Sequence, residues 1–188
     1  MSRIRLATTW LDGCSGCHMS LLDLDEALLD ILAEVELVYG PLVDAKDFPA
    51  RADVTLVEGA VSSEADRRHI LQIRGRTGIL VSFGDCAVTA NVPAMRNRFP
   101  VKAIIDRAYV DNVDRRPAAG DGASVKPGGF VFAGVPRLCR TARPVHEFVR
   151  VDVFLPGCPP AAAVIAYLLT ELVAGRIPEI GGRSRFGA

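Results

Sequence analysis

Four cysteines lie in three short motifs, and each motif pairs cysteine with glycine. Cys14 and Cys17 form the CxxC pair of DGCSGC, Cys86 ends SFGDC, and Cys158 lies in LPGCPP. Cysteine sulfur can form a disulfide, bind zinc or hold an iron–sulfur cluster. A CxxC pair between a strand and a helix is typical of thioredoxin-like dithiols, but that interpretation leaves Cys86 and Cys158 without a role.

The hydrophobic pattern predicts alternating strands and helices, which is typical of a parallel sheet covered on both faces. We expect one flavodoxin-like domain over residues 1–188, with strands in 3–10, 34–40, 52–59, 77–86 and 147–160. Helices are predicted along Leu21, Leu24, Leu28 and Leu32, in 62–75 and in 161–174. The last is apolar almost all round and is therefore expected to be buried, in this domain or against another subunit. Residues 111–144 are rich in Gly, Pro and Arg and predict an irregular excursion, either a partner-docking surface or a solvated loop.

All four cysteines follow ends of predicted strands, and the carboxyl ends of parallel strands share one edge of a sheet. We therefore expect them to converge there, with neighbouring glycines allowing backbone to approach a bulky group. Four separate thiolates favour a [4Fe–4S] cluster. Structural zinc, which usually uses two CxxC-type pairs, and a dithiol stay open as alternatives. Cys139 lies in the excursion and is expected to be a spare thiol.

Composition narrows the class of protein. Lys plus Arg number 22 and Asp plus Glu number 22, so the basic excess typical of nucleic-acid binders is missing. The longest apolar stretch is interrupted by Glu171 and is too short to cross a bilayer. The start shows neither a signal peptide nor a twin-arginine pair, so we expect a cytoplasmic protein without membrane association. There, clustered cysteines indicate metal or redox chemistry.

Four segments together resemble the small subunit of [NiFe] hydrogenases, a family that includes the 20 kDa cluster-bearing subunit of respiratory NADH dehydrogenase. They are WLDGCSGCHMSLLD, VEGAV, SFGDCAVTANVPAMRN and LPGCPPAAAVIAYLL. The resemblance implies that Cys14, Cys17, Cys86 and Cys158 hold one [4Fe–4S] cluster beside a large subunit that carries the Ni–Fe site. The chain would then transfer single electrons and would not itself split hydrogen.

Departures from the family pattern refine this expectation. The chain ends at IGGRSRFGA without cysteines for further clusters, and CSGC replaces the adjacent cysteines of the NADH dehydrogenase subunit. It thus resembles the short small subunit of cytosolic bidirectional NAD-reducing hydrogenases, which implies diaphorase partners with flavin and iron–sulfur clusters. Other cytosolic hydrogenases and an NADH dehydrogenase-like complex are alternatives. A zinc-binding interaction protein is the alternative from a different class.

Several other residues near the motifs are candidates for roles at the site. Gly13 stands where many family members have Glu, and Glu58 is the nearest acid that could replace it in proton transfer, or it caps the following turn. Asp85 is expected to hydrogen-bond locally. His18 is expected to donate to a cluster sulfur or to a carbonyl of a partner, or simply to lie at the surface or an interface. Trp10 is expected to lie at the large-subunit interface or in the core. FMN is not expected, because no phosphate-binding loop is recognisable.

Overall fold

The computed structural model describes residues 3–111 and 136–187. Its main sheet has the order β2-β1-β3-β5-β7, every neighbouring pair is parallel, and Leu56 lies between Thr8 and Val81. The strands are β1 (Ile4–Trp10), β2 (Val35–Tyr39), β3 (Ala52–Glu58), β5 (Thr77–Phe83) and β7 (Val153–Leu155). A separate antiparallel pair joins β4 (Val61–Ser63) to β6 (Leu138–Arg143). The flavodoxin-like order predicted from the alternating pattern is confirmed.

Helices cover both faces of this sheet, as predicted. They are α1 (Gly16–Leu22), α2 (Glu26–Glu34), α3 (Glu64–Arg76), α4 (Asp85–Thr89), α5 (Val101–Asp106) and α6 (Ala162–Val173). Side chains of α1, α2 and α6 bury one face, and Ile70 and Ile73 of α3 bury the other. Within the described ranges, no helix combines the length and the apolar content needed to cross a bilayer.

Two predicted elements differ in the structure. The single helix expected along Leu21 to Leu32 is two helices, because Asp25 takes a positive φ of 49° and breaks the hydrogen-bond ladder. With a ψ of −123°, Asp25 also lies outside the left-handed helical region that aspartate enters most readily. The fifth strand covers only Val153–Leu155, and Val145–Glu147 before it forms a turn of 3₁₀ helix that buries Val145.

The excursion is more regular than its composition predicts. Residues 112–135 lie outside the described residues, but Leu138–Arg143 forms β6, so the expectation of little regular structure over 111–144 is wrong there. The strand pairs with β4, and Asn97 bonds both the N–H and the C=O of Ala142 at 2.8 Å. Pairing satisfies backbone groups that would otherwise lack partners.

The other two predicted helices are found. Ser63 caps α3 through a reciprocal capping box with Asp66, and the helix ends at Arg76, one residue beyond the expected stop at Gly75. Helix α6 buries one face through Ile165, Leu168, Leu169 and Leu172, while Thr170 is exposed. One face of α6 is thus buried within this chain, and burial of its remaining apolar surface against another subunit stays a prediction.

Candidate metal centre

The four predicted ligands lie at the carboxyl edge of the main sheet. Cys14 follows β1, Cys17 lies in the first turn of α1, Cys86 lies in α4 directly after β5, and Cys158 follows β7. All four are free thiols. Cys17 is buried, Cys86 is half-buried, and Cys14 and Cys158 are exposed. The parallel topology thus brings together residues that are up to 144 positions apart.

Electrostatic interactions confirm that the three cysteine-bearing segments are close in space. Burial raises the pKa of the Cys17 thiol, and the charges of Glu58, Cys14, Cys86 and Cys158 raise it further. Burial likewise raises the pKa of Cys86. A hydrogen bond from the Val92 backbone favours the thiolate and partly opposes this increase. Thiolates are therefore costly here unless cations accompany them. Binding of cationic iron in exchange for protons would relieve this repulsion.

The donor set fits an iron–sulfur cluster, whose ligands are commonly four cysteine thiolates. Within residues 3–111 and 136–187, no three His, Cys, Asp or Glu side chains surround a point that could hold a single metal ion. The assignment of the four cysteines as cluster ligands therefore stays a prediction.

Gly84 gives Cys17 the space its sulfur occupies. Its φ of 84° and ψ of 164° belong to a region that residues with a side chain rarely enter. A Cβ atom at this position would lie 2.1 Å from Cys17 Sγ. Gly84 thus brings backbone close to the Cys17 sulfur, and the expected approach of backbone to a bulky group stays a prediction.

Hydrogen bonds join the segments that carry Cys86 and Cys158. The N–H of Gly84 donates to the Leu155 carbonyl at 2.8 Å, and the N–H of Asp85 donates to the Gly157 carbonyl at 2.9 Å. In return, the N–H of Gly157 donates to Asp85 Oδ1 at 2.6 Å. The pairing of β5 with β7 therefore continues into the cysteine loops and sets their relative position.

A further contact joins α1 to the chain after Cys158. The Ser20 hydroxyl donates to the Pro160 carbonyl at 2.6 Å. Because α1 carries Cys17, this bond couples the first cysteine pair to the last motif. Sequence reasoning did not find Ser20, which lies 140 positions from its partner.

His18 and Glu58 form a buried pair beside the cysteines. Their side chains are 2% and 3% exposed, and His18 Nδ1 lies 2.5 Å from Glu58 Oε2. The backbone N–H of His18 donates to the same oxygen at 3.1 Å. The Glu58 carboxylate therefore accepts its hydrogen bonds from α1 and does not cap the turn after β3. The alternative of a surface histidine is wrong for His18. Its Nε2 is buried and has no hydrogen-bond partner among the described residues.

Glu58 also lies beside Gly13. A Cβ atom on Gly13 would be 3.7 Å from Glu58 Oε1 and 3.2 Å from Gly59 Cα. The prediction that Glu58 is near this position is confirmed. A Cβ atom at residue 13 would therefore be in ordinary van der Waals contact with the Glu58 carboxylate and would lie more tightly against Gly59 Cα.

Two further residues lie away from the core of the site. Trp10 is 45% exposed, so the alternative of a core tryptophan is wrong, and its ring meets His18 edge-on with centroids 5.4 Å apart. Cys139 lies on β6, where its Sγ is 3.8 Å from Glu64 Oε1. Its expected role as a spare thiol stays a prediction.

The chain is similar to known proteins over nearly its whole length. The family described as NADH ubiquinone oxidoreductase, 20 Kd subunit, matches residues 14–172. The delta subunit of the NAD-reducing hydrogenase HoxS of Cupriavidus necator is 41% identical over 174 residues, which cover 93% of this chain and 80% of that protein. A subunit of the F420-non-reducing hydrogenase vhu of Methanocaldococcus jannaschii is 34% identical over 178 residues, or 94% of this chain and 58% of that protein.

Solved structures agree with these sequence similarities. A chain of an NAD⁺-reducing [NiFe] hydrogenase in the H₂-reduced state superimposes with a TM-score of 0.84 at 36% identity, and covers 98% of this chain and 99% of its own. A [NiFeSe] hydrogenase chain from Desulfovibrio vulgaris Hildenborough gives a TM-score of 0.53 at 17% identity and shares the fold alone.

Proposed function

The chain belongs to the family of the 20 kDa subunit of NADH ubiquinone oxidoreductase, and we propose that it is the electron-transfer small subunit of an NAD-reducing [NiFe] hydrogenase. The observation that carries this proposal is the convergence of four free thiols at one edge of the sheet. There, negative charge on any of Cys14, Cys86 and Cys158 raises the pKa of Cys17. The similarity to a hydrogenase delta subunit over 93% of the chain supports it.

We assign Cys14, Cys17, Cys86 and Cys158 as the ligands of one [4Fe–4S] cluster. Such a cluster, when bound, accepts and releases one electron at a time. The protein positions the thiolates through paired strand ends and makes room for them through Gly84. Glu58 and His18 form a polar contact behind Cys17, and we propose that a proton can be held between His18 Nδ1 and Glu58 Oε2.

The proposed partners are a large subunit with the Ni–Fe site and diaphorase subunits with flavin and iron–sulfur clusters. The name of the Cupriavidus necator relative, a subunit of an NAD-reducing hydrogenase, supports this proposal. Large apolar side chains are exposed next to the first two cysteine motifs, as an interface would require: Trp10, Met19 and Val92. The cytoplasmic location stays a prediction from the sequence.

The test of the cluster is anaerobic purification followed by iron, sulfide and zinc analysis. We expect a brown protein whose broad absorbance bleaches on reduction. We expect the Cys86→Ser and Cys158→Ser variants to lose the cluster. Cys139→Ser is the matched control and keeps the cluster, because its thiol bonds Glu64 on α3. A colourless protein with one tightly bound zinc contradicts the proposal, as does equal cluster loss in all three variants.

The electron acceptor is tested on the complex isolated through this chain with its untagged partners. Hydrogen-dependent reduction of NAD⁺ is the expected activity. Relatives also include the gamma subunit of a coenzyme F420 hydrogenase from Methanococcus voltae, at 29% identity. Reduction of F420 without reduction of NAD⁺ would assign the chain to that alternative.

A further inference from the structure

Asp85 carries a buried carboxylate that joins two distant parts of the chain. The residue is 4% exposed. Its Oδ1 accepts the N–H of Gly157 at 2.6 Å, and its Oδ2 accepts the N–H of Gly187 at 2.7 Å. Its hydrogen bonds and ion pairs among the described residues include no Lys or Arg. A buried carboxylate is costly unless its oxygens are hydrogen-bonded, so these two backbone donors determine where it can lie.

Residues 183–187, which we call the strap, return from the end of α6 to the cysteine loops. The Arg183 guanidinium carbon lies 4.0 Å from the centroid of the Tyr167 ring on α6. The Ser184 hydroxyl donates to the Pro156 carbonyl at 2.5 Å, two residues before Cys158. Gly187 then reaches Asp85, the neighbour of Cys86. The strap therefore connects with both loops that carry the last two cysteines.

The loop after β7 needs such support because its cysteine is at the surface. Cys158 is exposed, and its sulfur has a weak contact with Asn91 Nδ2 at 3.7 Å. The loop has only two residues between Leu155 and Cys158, and the strap bonds the first of them while Asp85 bonds the second. Movement of the strap would thus be transmitted directly to the Cys158 backbone.

We propose that the strap is part of the cluster-binding site and that Asp85 is the positioning residue that fastens it. This inference rests on the proposed function, because it assumes that Cys86 and Cys158 are cluster ligands. Asp85 aligns the two loops through its hydrogen bond with Gly157. Its hydrogen bond with Gly187 holds the strap against them. The strap slows opening of the Cys158 loop, and so slows cluster loss.

The test measures the rate at which iron passes from the anaerobically purified full chain to a chelator. Asp85→Asn replaces one accepting oxygen with an amide donor, which faces the N–H of either Gly157 or Gly187. Deletion of residues 184–188 removes Ser184 and Gly187 and leaves Asp85 intact. Loss of a hydrogen bond to a charged group predicts about tenfold faster iron release in each variant. The combined variant is expected to release iron less than about a hundredfold faster than wild type, because the two changes share the Asp85–Gly187 contact and are therefore not additive.

Asp66→Asn is the matched control. Its carboxylate also accepts two backbone N–H groups, from Ser62 and Ser63, but it caps α3. We expect lower stability of the fold with iron release at the wild-type rate. If Asp66→Asn releases iron as fast as Asp85→Asn, the effect is general destabilisation and the inference is overturned.

The remaining outcomes separate this inference from the proposed function. A wild-type chain that holds no cluster contradicts the proposed function itself. If the wild-type chain holds the cluster and the deletion variant releases iron at the wild-type rate, the strap inference is wrong. Should Asp85→Asn fail to fold, the deletion variant decides alone, because residues 185–187 are exposed and lie outside the buried clusters.

Discussion

At the scale of single residues, Gly84 shows how strongly one sulfur atom constrains the backbone beside it. The backbone at Gly84 has both a conformation that favours glycine and no space for a Cβ atom. Gly75 in α3 is the opposite case, since nothing lies within 4 Å of a Cβ placed there. The two glycines therefore allow a direct comparison of a required glycine with a tolerated one.

Gly84→Ala is expected to destabilise the chain by about 1–3 kcal/mol from backbone strain alone, with more from the clash with Cys17 Sγ. Cluster content should fall as well, because the sulfur must move. Gly75→Ala is the control, and we expect it to stabilise α3 by about 0.5–1 kcal/mol. Urea denaturation of both variants and their iron content provide the measurement. Equal stability of Gly84→Ala and wild type would contradict the close contact.

Glu58 and His18 are a second residue-scale feature, and their pairing has an electrostatic consequence. The Glu58 charge raises the pKa of both Cys17 and Cys86. A negative charge at this place disfavours further negative charge on the cluster. Net charge and hydrogen bonding are among the factors that set iron–sulfur potentials.

We therefore expect Glu58→Gln to raise the reduction potential of the cluster by tens of millivolts, since the substitution removes one negative charge and keeps the side-chain shape. An EPR-monitored redox titration measures the shift. Glu64→Gln is the control, because Glu64 is a partly exposed acid at the start of α3. The local effect of this charge would be refuted if Glu58→Gln left the reduction potential of the cluster unchanged, or if Glu64→Gln shifted it by the same amount.

At the scale of elements, the start of α3 was predictable from the sequence, whereas the pairing of the preceding strand β4 with β6 was not. The Ser63 hydroxyl accepts the N–H of Asp66, and the Asp66 carboxylate accepts the N–H of Ser63. This local pattern is visible in the sequence. The partner of the preceding strand, β6, lies 75 positions away at Leu138, and no local signal specifies that pairing.

Ser63→Ala should lower the free energy of unfolding by about 1 kcal/mol, the usual cost of removing an N-cap side chain. Thermal and urea denaturation measure the change. Cluster content should stay at the wild-type level, because α3 begins away from the cysteine loops. Thr170→Ala, an exposed position within α6, is the control and should alter stability much less. Loss of the cluster in Ser63→Ala would show that α3 supports the site directly.

At the scale of the whole molecule, the two edges of the main sheet have different roles. The carboxyl edge carries the cysteines, whereas the amino edge is held by an ion-pair network at Asp152. The Asp152 carboxylate accepts the N–H of Leu80 at 2.9 Å and the Arg74 guanidinium at 2.5 Å, and Arg150 lies at 3.4 Å. This network joins α3, β5 and the start of β7.

The Asp152 network predicts a pH dependence of folding. Burial alone would raise the pKa of Asp152, but the hydrogen bonds from Leu80 and Arg74 and the charges of Arg74 and Arg150 outweigh it and lower the pKa below 3.8. The carboxylate therefore stabilises the fold above about pH 4, the ordinary range of an aspartate. That contribution disappears as the pH falls through the lowered value.

We expect Asp152→Asn to be less stable than wild type at pH 7 by about 1.5–3 kcal/mol, the range for a hydrogen bond to a charged group. The difference should shrink as the pH drops below about 4. Urea titrations of both proteins at pH 7 and at several acidic values measure it. A difference that does not vary with pH would contradict the role of the ionised carboxylate.

The three cysteine motifs and the alternation of apolar runs are local patterns, and they sufficed to predict the flavodoxin-like sheet, the edge at which the cysteines meet and the family. The break at Asp25, the β4–β6 pair, the burial of His18 against Glu58 and the bond from Asp85 to Gly187 came only from the tertiary structure. The reason is separation along the chain: His18 and Glu58 are 40 positions apart, and Asp85 and Gly187 are 102 apart. Contacts of this kind follow from how the packed elements meet, and a single sequence carries no periodic signal for them.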